Sequence, residues 1–113
     1  SLTLVSGLLS IRPRRNSAIV SAANGAIESL TRALALELAP VRVNNVSPGT
    51  IDTPIRAAMP EAARKELLAK TAAGLPVGRV GEADDIAQQI LACMKNGFMS
   101  GSIVYLEGGG LVA

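Results

Sequence analysis

A strand-like segment that ends in a proline-glycine turn is the first candidate for chemistry in this 113-residue chain. Three of the seven residues from Val41 to Ser47 are valines, and Pro48-Gly49 follows them at once. Proline fixes a turn at this point, and glycine lets the backbone approach a ligand closely. Open α/β sheets bind ligands at the carboxyl ends of their strands, so the pattern predicts a ligand site here.

Composition excludes several other kinds of site. The chain has no histidine, so His-based triads and His-containing zinc sites are excluded, and no metal site is predicted. Cys93 is the single cysteine and cannot form an internal disulfide, which agrees with a reducing cytoplasm; we expect it to be a small core residue. Leu2–Leu9 is apolar but too short for a membrane span or signal peptide.

Charge and aromatic content argue against a nucleic-acid surface. Eleven basic residues face nine acidic ones, and only 2% of the residues are aromatic. Nucleic-acid surfaces need clustered cations together with aromatic rings for base stacking. The one dense basic cluster, Arg12-Pro13-Arg14-Arg15, is therefore interpreted as a solvated loop.

Hydrophobic periodicity alternates between strand and helix along the chain. The predicted strands are Leu2–Val5, Val41–Ser47 and Ser102–Leu106, and the predicted helices are Ser21–Leu38, Glu61–Ala73 and Ala83–Lys95. Strands separated by helices favour an α/β fold with a parallel sheet and right-handed crossovers. The segment from Leu8 to Ser17 is expected to be a loop.

Side chains near the helix ends predict several local contacts. Ser21 is expected to be the N-cap of the first helix. Glu28 and Arg32 are expected to form an i,i+4 ion pair on its outer face. Gly74 is expected to end the second helix, and Asp52 could cap the short helix that follows it.

Four motifs, taken in order, resemble the short-chain dehydrogenase/reductase family over nearly the whole chain. They are Ile27–Ala39, Arg42–Thr53, Gly78–Glu82 with Asp85–Ala87, and Glu107–Gly109. The resemblance implies a partial Rossmann-like doubly wound parallel sheet of three strands with crossover helices. Residues 1–113 would be the C-terminal portion of one such domain. The family's glycine-rich phosphate turn would precede Ser1, because no G-x-G-x-x-G follows a strand here.

The same resemblance implies that the family's catalytic Tyr-x-x-x-Lys pair is absent. In the family the phenol transfers a proton, and the ammonium on the same helix face lowers its pKa. Matching the helix places Val20 at the tyrosine position and Asn24 at the lysine position. Valine cannot transfer a proton, whereas Asn24 could still hydrogen-bond a ribose hydroxyl. The family's serine falls on Gly7, or on Ser6 if the loop differs by one residue, so Ser6 remains a candidate catalytic residue.

For binding, the resemblance implies a nicotinamide site around the Pro48-Gly49 loop. The Ile51 backbone and the Thr53 hydroxyl would hold the carboxamide of NAD or NADP, bound by the full-length protein only. Three functions stay open. The protein is an oxidoreductase for an unknown alcohol or carbonyl substrate with atypical catalytic residues, a catalytically inactive dinucleotide-binding or scaffold member, or an inert self-associating fragment.

Apolar surface on the first predicted helix indicates self-association. Ala22, Ala26, Ala33 and Leu36 extend its apolar surface beyond what one sheet face can cover. A three-stranded sheet also leaves an open edge that can pair with another chain. Tyr105, in the last strand, is expected to be a packing or interface residue. By resemblance, a homodimer or homotetramer is expected.

Overall fold

A three-stranded parallel sheet forms the centre of the chain in a computed structural model that describes residues 1–113. Its strands are β1 (Leu2–Val5), β2 (Val43–Pro48) and β5 (Ile103–Leu106), in the order β1-β2-β5. A separate parallel pair, β3 (Ile51–Asp52) with β4 (Gly81–Glu82), follows the carboxyl end of β2. The predicted α/β fold with a parallel sheet is confirmed.

Three α-helices connect these strands. They are α1 (Ala18–Glu37), α2 (Glu61–Ala73) and α3 (Ala83–Lys95), with 3-10 turns at Leu8–Ser10 and Pro54–Arg56. The bounds of α2 and α3 are those predicted, and Gly74 is the C-cap of α2. Strands β2 and β5 begin slightly later than the periodicity predicted. None of the helices combines the length and the apolar character that crossing a membrane requires.

The start of α1 corrects the predicted N-cap. The helix begins at Ala18, so Ser21 lies inside its first turn and Ser17 occupies the N-cap position. The Ser17 hydroxyl does not cap the helix, because it accepts the Arg14 N–H at 3.0 Å and donates to the Arg14 carbonyl at 2.6 Å. The first turn exposes Ile19 to 87%, so it has no buried apolar face that periodicity could detect.

The buried core is centred on β2, because this strand lies between β1 and β5. All residues from Val43 to Ser47 are buried, including Asn44 and Asn45. The Asn44 amide donates to the Met99 carbonyl at 2.7 Å, and its side-chain oxygen accepts the Ser102 N–H at 3.2 Å. This asparagine therefore holds the loop that leads into β5. Cys93 is fully buried, which confirms its predicted place in the core.

The start of α3 is held by an ion pair within the third motif. The Asp85 carboxylate accepts the Glu82 N–H at 2.8 Å. It also receives both Arg79 guanidinium nitrogens, at 2.7 and 2.8 Å. These hydrogen bonds, that to Arg79 first, hold the pKa of the Asp85 carboxyl well below its usual range. Arg79 therefore closes the turn that leads from the β3–β4 pair into the helix.

The end of α3 is closed by Arg42, the residue before β2. Its guanidinium donates to the Cys93 carbonyl at 2.7 Å, to the Met94 carbonyl at 2.7 Å and to the Met99 carbonyl at 3.1 Å. The last carbonyls of a helix have no partner within it, and a cation there also faces the negative end of the helix dipole. One side chain thus ties α3 to the central strand.

Replacing Arg42 by alanine should destabilise the protein by about 1.5–3 kcal/mol, the range for hydrogen bonds to charged groups. Urea unfolding of the full-length protein measures the loss. Arg15→Ala is the matched control, because Arg15 is exposed and belongs to none of the chain's ion pairs. Equal stability of the two variants would contradict the proposed closure of α3.

Candidate functional site

A cleft of about 590 Å³ opens at the carboxyl ends of β1 and β2. Its volume lies in the range of small-molecule sites. The segment after β1, the start of α1, the Pro48-Gly49 loop and the end of β5 form its walls. The lining residues used below are Ser6, Gly7, Leu8, Leu9, Arg12, Arg14, Val20, Asn24, Pro48, Gly49, Thr50, Ile55, Arg56, Leu75 and Glu107.

Most of the site residues expected from the sequence come together in this cleft. Ser6, Asn24, Pro48 and Gly49 all line it, together with Val20. Two others lie elsewhere. Ile51 lines a smaller, adjoining pocket of about 230 Å³, which shares Thr50, Leu75 and Glu107 with the cleft. Thr53 lines neither pocket and is the N-cap residue of the 3-10 turn at Pro54–Arg56. The nicotinamide contacts expected of these two residues stay predictions.

Asp52, beside Thr53, does not cap this 3-10 turn. Its carboxylate is instead paired with Arg64 on α2. The Asp52 carboxylate pairs with the Arg64 guanidinium on the next helix, because a cation is a stronger partner for it than a backbone N–H. This pair connects the loop after β3 to α2, and the predicted cap is wrong.

Gly7 and Asn24, which the resemblance matches to the family's serine and lysine positions, pack against each other. A Cβ atom placed on Gly7 would lie 2.9 Å from the Asn24 side-chain nitrogen, which is too close. The amide of Asn24 thus fills the space that a serine side chain at position 7 would need. Val20 is 53% exposed at the cleft. None of the three positions carries a group that transfers protons.

Gly49 is required by packing against the end of β5. A Cβ atom at this position would lie 2.8 Å from the Glu107 Cα atom. The Gly49 N–H donates to the Leu106 carbonyl at 2.8 Å, which brings the loop against the strand. This close approach of two backbones requires a glycine at position 49 even when no ligand is bound. The sequence pattern did not show this reason for the glycine.

Glu28 is buried, which makes the predicted outer-face pair with Arg32 wrong. Only 5% of Glu28 is exposed, and its side chain turns toward the sheet. The Arg32 guanidinium contacts only the Glu28 backbone carbonyl, at 3.4 Å. The physical reason is that hydroxyl groups facing the inner side of α1 donate hydrogen bonds to the Glu28 carboxylate. These bonds compensate for the hydration that the carboxylate loses on burial.

Four hydroxyl groups surround the Glu28 carboxylate. Ser10 donates to it at 2.5 Å and Tyr105 at 2.9 Å. Ser6 and Ser47 make longer contacts, both at 3.4 Å. Tyr105 is thus a packing residue with a defined polar partner. We define these five residues as the Glu28 network.

Ser6 connects the cleft to this network. Ser6 lines the cleft, and its hydroxyl donates to the Asn45 side-chain oxygen at 2.8 Å, while the Glu28 carboxylate lies 3.4 Å away. A hydroxyl has one proton to donate, so Ser6 gives it either to Asn45 or to Glu28. A hydroxyl beside a carboxylate is able to relay a proton between a bound molecule and that carboxylate.

The inner face of α1 explains why Glu28 was not predicted to belong to the site. The buried residues of the helix are Glu28 and Thr31, whereas Leu30 is 48% exposed and Leu38 is 42% exposed. The apolar stripe of Ile27, Leu30, Leu34 and Leu38, at three- and four-residue steps, predicted a different inner face. A signal was nevertheless present, because Glu28 follows Asn24 by four residues and shares its face.

Comparison with known proteins identifies the family. The model of a family described as enoyl-(acyl carrier protein) reductase matches residues 1–110. The chain belongs to the short-chain dehydrogenase/reductase family. Its fold agrees with a crystal structure of a small-chain dehydrogenase in complex with NADPH, at a TM-score of 0.94 and 42% identity. That match covers 98% of this chain and 51% of the other.

Two curated relatives show how much of the family's length is matched. The short-chain dehydrogenase/reductase ATR9 of Stachybotrys chlorohalonatus is 38% identical over 109 residues, covering 96% of this chain and 43% of the relative. The 3-oxoacyl-[acyl-carrier-protein] reductase FabG of Thermotoga maritima is 32% identical over 113 residues, covering 96% and 44%. The chain thus spans less than half the length of these short-chain dehydrogenase relatives.

The Tyr105–Glu28 contact predicts an alkaline loss of stability. Burial first, and then the Glu28 carboxylate, raise the pKa of Tyr105 above its ordinary value of 10.0. The unfolded chain therefore loses this proton at lower pH than the folded one. The contribution of this contact to the free energy of unfolding is complete below pH about 10. It is lost as the pH rises from there through the pKa of Tyr105 in the folded protein.

Tyr105→Phe should remove this part of the alkaline decline. The check is the free energy of unfolding of wild type and variant between neutral pH and pH about 11. The difference in free energy of unfolding between wild type and variant should become smaller as the pH rises. Titration of lysine and cysteine affects both proteins equally and therefore cancels in this difference. A difference that does not change with pH would show that the phenol is not held neutral by the fold.

Proposed function

We propose that the full-length protein is an NAD(P)-dependent oxidoreductase for an alcohol or carbonyl substrate, with atypical proton-transfer groups. The observation that carries the proposal is the cleft at the Pro48-Gly49 loop, where Ser6 and Asn24 meet at the carboxyl ends of two parallel strands. Ligands of open α/β sheets bind at such strand ends. The NADPH in the similar small-chain dehydrogenase supports the same class of cofactor.

The lining of the cleft suits the nicotinamide end of the cofactor. Asn24 presents an amide and Thr50 a hydroxyl, beside the apolar side chains of Leu8 and Val20. Such a mixture of a few polar groups with an apolar surface is typical of cofactor sites. Asn24, Thr50 and the backbone at Gly49 would hold the ring and ribose. When bound, the dinucleotide supplies the hydride acceptor or donor.

Proton transfer in this proposal falls to Ser6 and Glu28. A substrate hydroxyl gives its proton to the Ser6 oxygen while Ser6 passes its own proton to the Glu28 carboxylate, and carbonyl reduction reverses both transfers. The donors Ser10 and Tyr105 keep the carboxylate fixed beside Ser6. Glu28 thus acts through Ser6. It orients the Ser6 hydroxyl and exchanges a proton with it, and it does not touch the substrate.

A second function is favoured by the residue types of Gly7, Val20 and Asn24. A family member that binds a dinucleotide without turning it over needs no phenol and no ammonium. The Asn24 amide fills the space beside Gly7, as expected of a site that no longer holds a catalytic serine there. Two measurements on the full-length protein separate these functions. They are NAD(P)H binding by calorimetry and hydride transfer with a panel of alcohols and carbonyl compounds.

Under the oxidoreductase proposal, Ser6→Ala and Glu28→Gln should each lower kcat about 100-fold, the scale of acid–base catalysis. Glu28→Gln keeps the shape of the side chain, and NAD(P)H affinity should stay unchanged in both variants. Ser29→Ala is the control, because Ser29 is an exposed residue of the same helix. Dinucleotide binding without measurable turnover in the wild type would favour the second function instead.

Rebuilding the family pair should raise hydride transfer in the full-length protein. Val20→Tyr combined with Asn24→Lys should increase kcat by about 100-fold, because a phenol beside a cation has a lowered pKa. Either change alone should do little, since a phenol without that cation keeps a pKa near 10. A wild type as fast as the double variant would mean that the existing groups already suffice for proton transfer.

We also propose that α1 mediates a symmetric homo-oligomer. Leu36 is 82% exposed, and Ala22, Ala26 and Ala33 are exposed on the same helix. An apolar helix surface of this kind is stabilised by a second copy across a two-fold axis.

Ala26→Arg together with Ala33→Arg should shift the full-length protein to monomers in light scattering, because two charges would be buried in the contact. Ala63→Arg, an exposed site on α2, is the matched control and should keep the oligomer. A stable monomer of wild type at high concentration would refute the assembly.

A further inference from the structure

Three arginine residues line the cleft from two distant parts of the chain. Arg12 and Arg14 belong to the loop before α1, and Arg56 ends the 3-10 turn after β3. The loop is exposed, as predicted, but two of its arginines also face the proposed substrate site. Folding therefore brings Arg56 to the same cleft as Arg12 and Arg14, from which it is distant in the sequence.

None of these arginines is paired with an acidic side chain. The ion pairs of the chain are Arg64–Asp52, Lys65–Glu61 and Arg79–Asp85. Arg12 reaches only the Ala113 carbonyl, at 3.5 Å, and one nitrogen of Arg56 donates to the Ile51 carbonyl at 2.7 Å. Most of the guanidinium N–H donors of these three residues have no partner within the chain and are available for a ligand.

The single carboxylate of the lining does not neutralise them. Glu107 accepts the Leu111 N–H at 3.0 Å and packs its backbone against Gly49. It forms no ion pair with any arginine. The cleft therefore retains an excess of positive charge.

The backbone around these arginines is fixed. The Ser17 hydroxyl binds both the N–H and the carbonyl of Arg14, at 3.0 and 2.6 Å. Pro13 restricts the residue between Arg12 and Arg14. The bond from Arg56 to Ile51 holds the third guanidinium near the end of β3. Arg56, whose guanidinium is held in this way, binds a ligand at a lower entropic cost.

The remaining surface of the cleft is partly apolar. Leu8, Leu9, Val20, Ile55 and Leu75 are its hydrophobic lining residues. An inorganic anion would leave this surface without a partner, and a purely apolar molecule would leave the guanidinium groups without one. The combination suits a molecule that has both an oxyanion and an apolar chain.

We propose that the cleft binds an organic substrate whose carboxylate or phosphate group is held by Arg12, Arg14 and Arg56 and whose apolar body contacts the leucines. Guanidinium groups bind such oxyanions through paired, charge-assisted hydrogen bonds. The proposal rests on the proposed function only for the reaction of this substrate; the binding site itself follows from the lining.

The test uses three probes of one chain length, namely hexanoate, hexyl phosphate and the neutral hexanamide. Calorimetry with the full-length protein at low salt should give affinities for both anions at least tenfold above that for hexanamide. Raising the salt concentration should reduce this preference, because the guanidinium groups are exposed. The dinucleotide is titrated in parallel, so that an oxyanion of the cofactor is distinguished from one of the substrate.

Combining Arg14→Gln with Arg56→Gln should weaken binding of hexanoate at least tenfold and leave hexanamide unchanged. Arg15→Gln is the control, because Arg15 is exposed and does not line the cleft. Circular dichroism checks that each variant is folded.

Three results would overturn the proposal. They are equal affinity for hexanoate and hexanamide, an equal loss in Arg15→Gln, and a loss confined to NAD(P)H binding in the double variant. None of these measurements requires turnover, so a protein without hydride transfer would refute the proposed oxidoreductase and still leave the anion site confirmed or refuted by its own data.

Discussion

The buried carboxylate of Glu28 ties α1 to the carboxyl ends of all three central strands. Ser6 follows β1, Ser47 lies in β2 and Tyr105 lies in β5, and each directs a hydroxyl toward the carboxylate. A carboxylate removed from water without donors would be strongly destabilising. These contacts therefore fix the position of α1 relative to the sheet. The position of the cleft walls formed by α1 and the strand ends is fixed with it.

The cleft follows from this arrangement. Asn24 lies one turn before Glu28 on the same helix face, so fixing Glu28 against the strands also brings Asn24 against Gly7. On the other side, the N–H of Gly49 binds the end of β5, which sets the wall formed by the Pro48-Gly49 loop. Polar contacts at strand ends, rather than a large apolar core, thus define the site.

Local patterns predicted the backbone well because they depend on near neighbours. The periodicity of Glu61–Ala73 and Ala83–Lys95 agreed with the observed helices to the residue. The inner face of α1 was mistaken because a leucine stripe usually marks the buried side, whereas here hydroxyl donors from distant strands make a glutamate the better inner residue. The meeting of Arg56 with the loop before α1 depends on tertiary contacts, which no local pattern contains.

Two of the positions that the resemblance matches to the family's catalytic groups, Gly7 and Asn24, depend on each other. Asn24 packs its amide where a side chain at Gly7 would lie, so a serine at position 7 would displace it. A lysine at position 24 would in turn leave the space beside Gly7 empty unless it too turned inward. Val20, which no such contact restrains, is free to vary. Glycine at position 7 and asparagine at position 24 therefore fit each other, and Ser6 lies beside them as the hydroxyl between the cleft and a carboxylate.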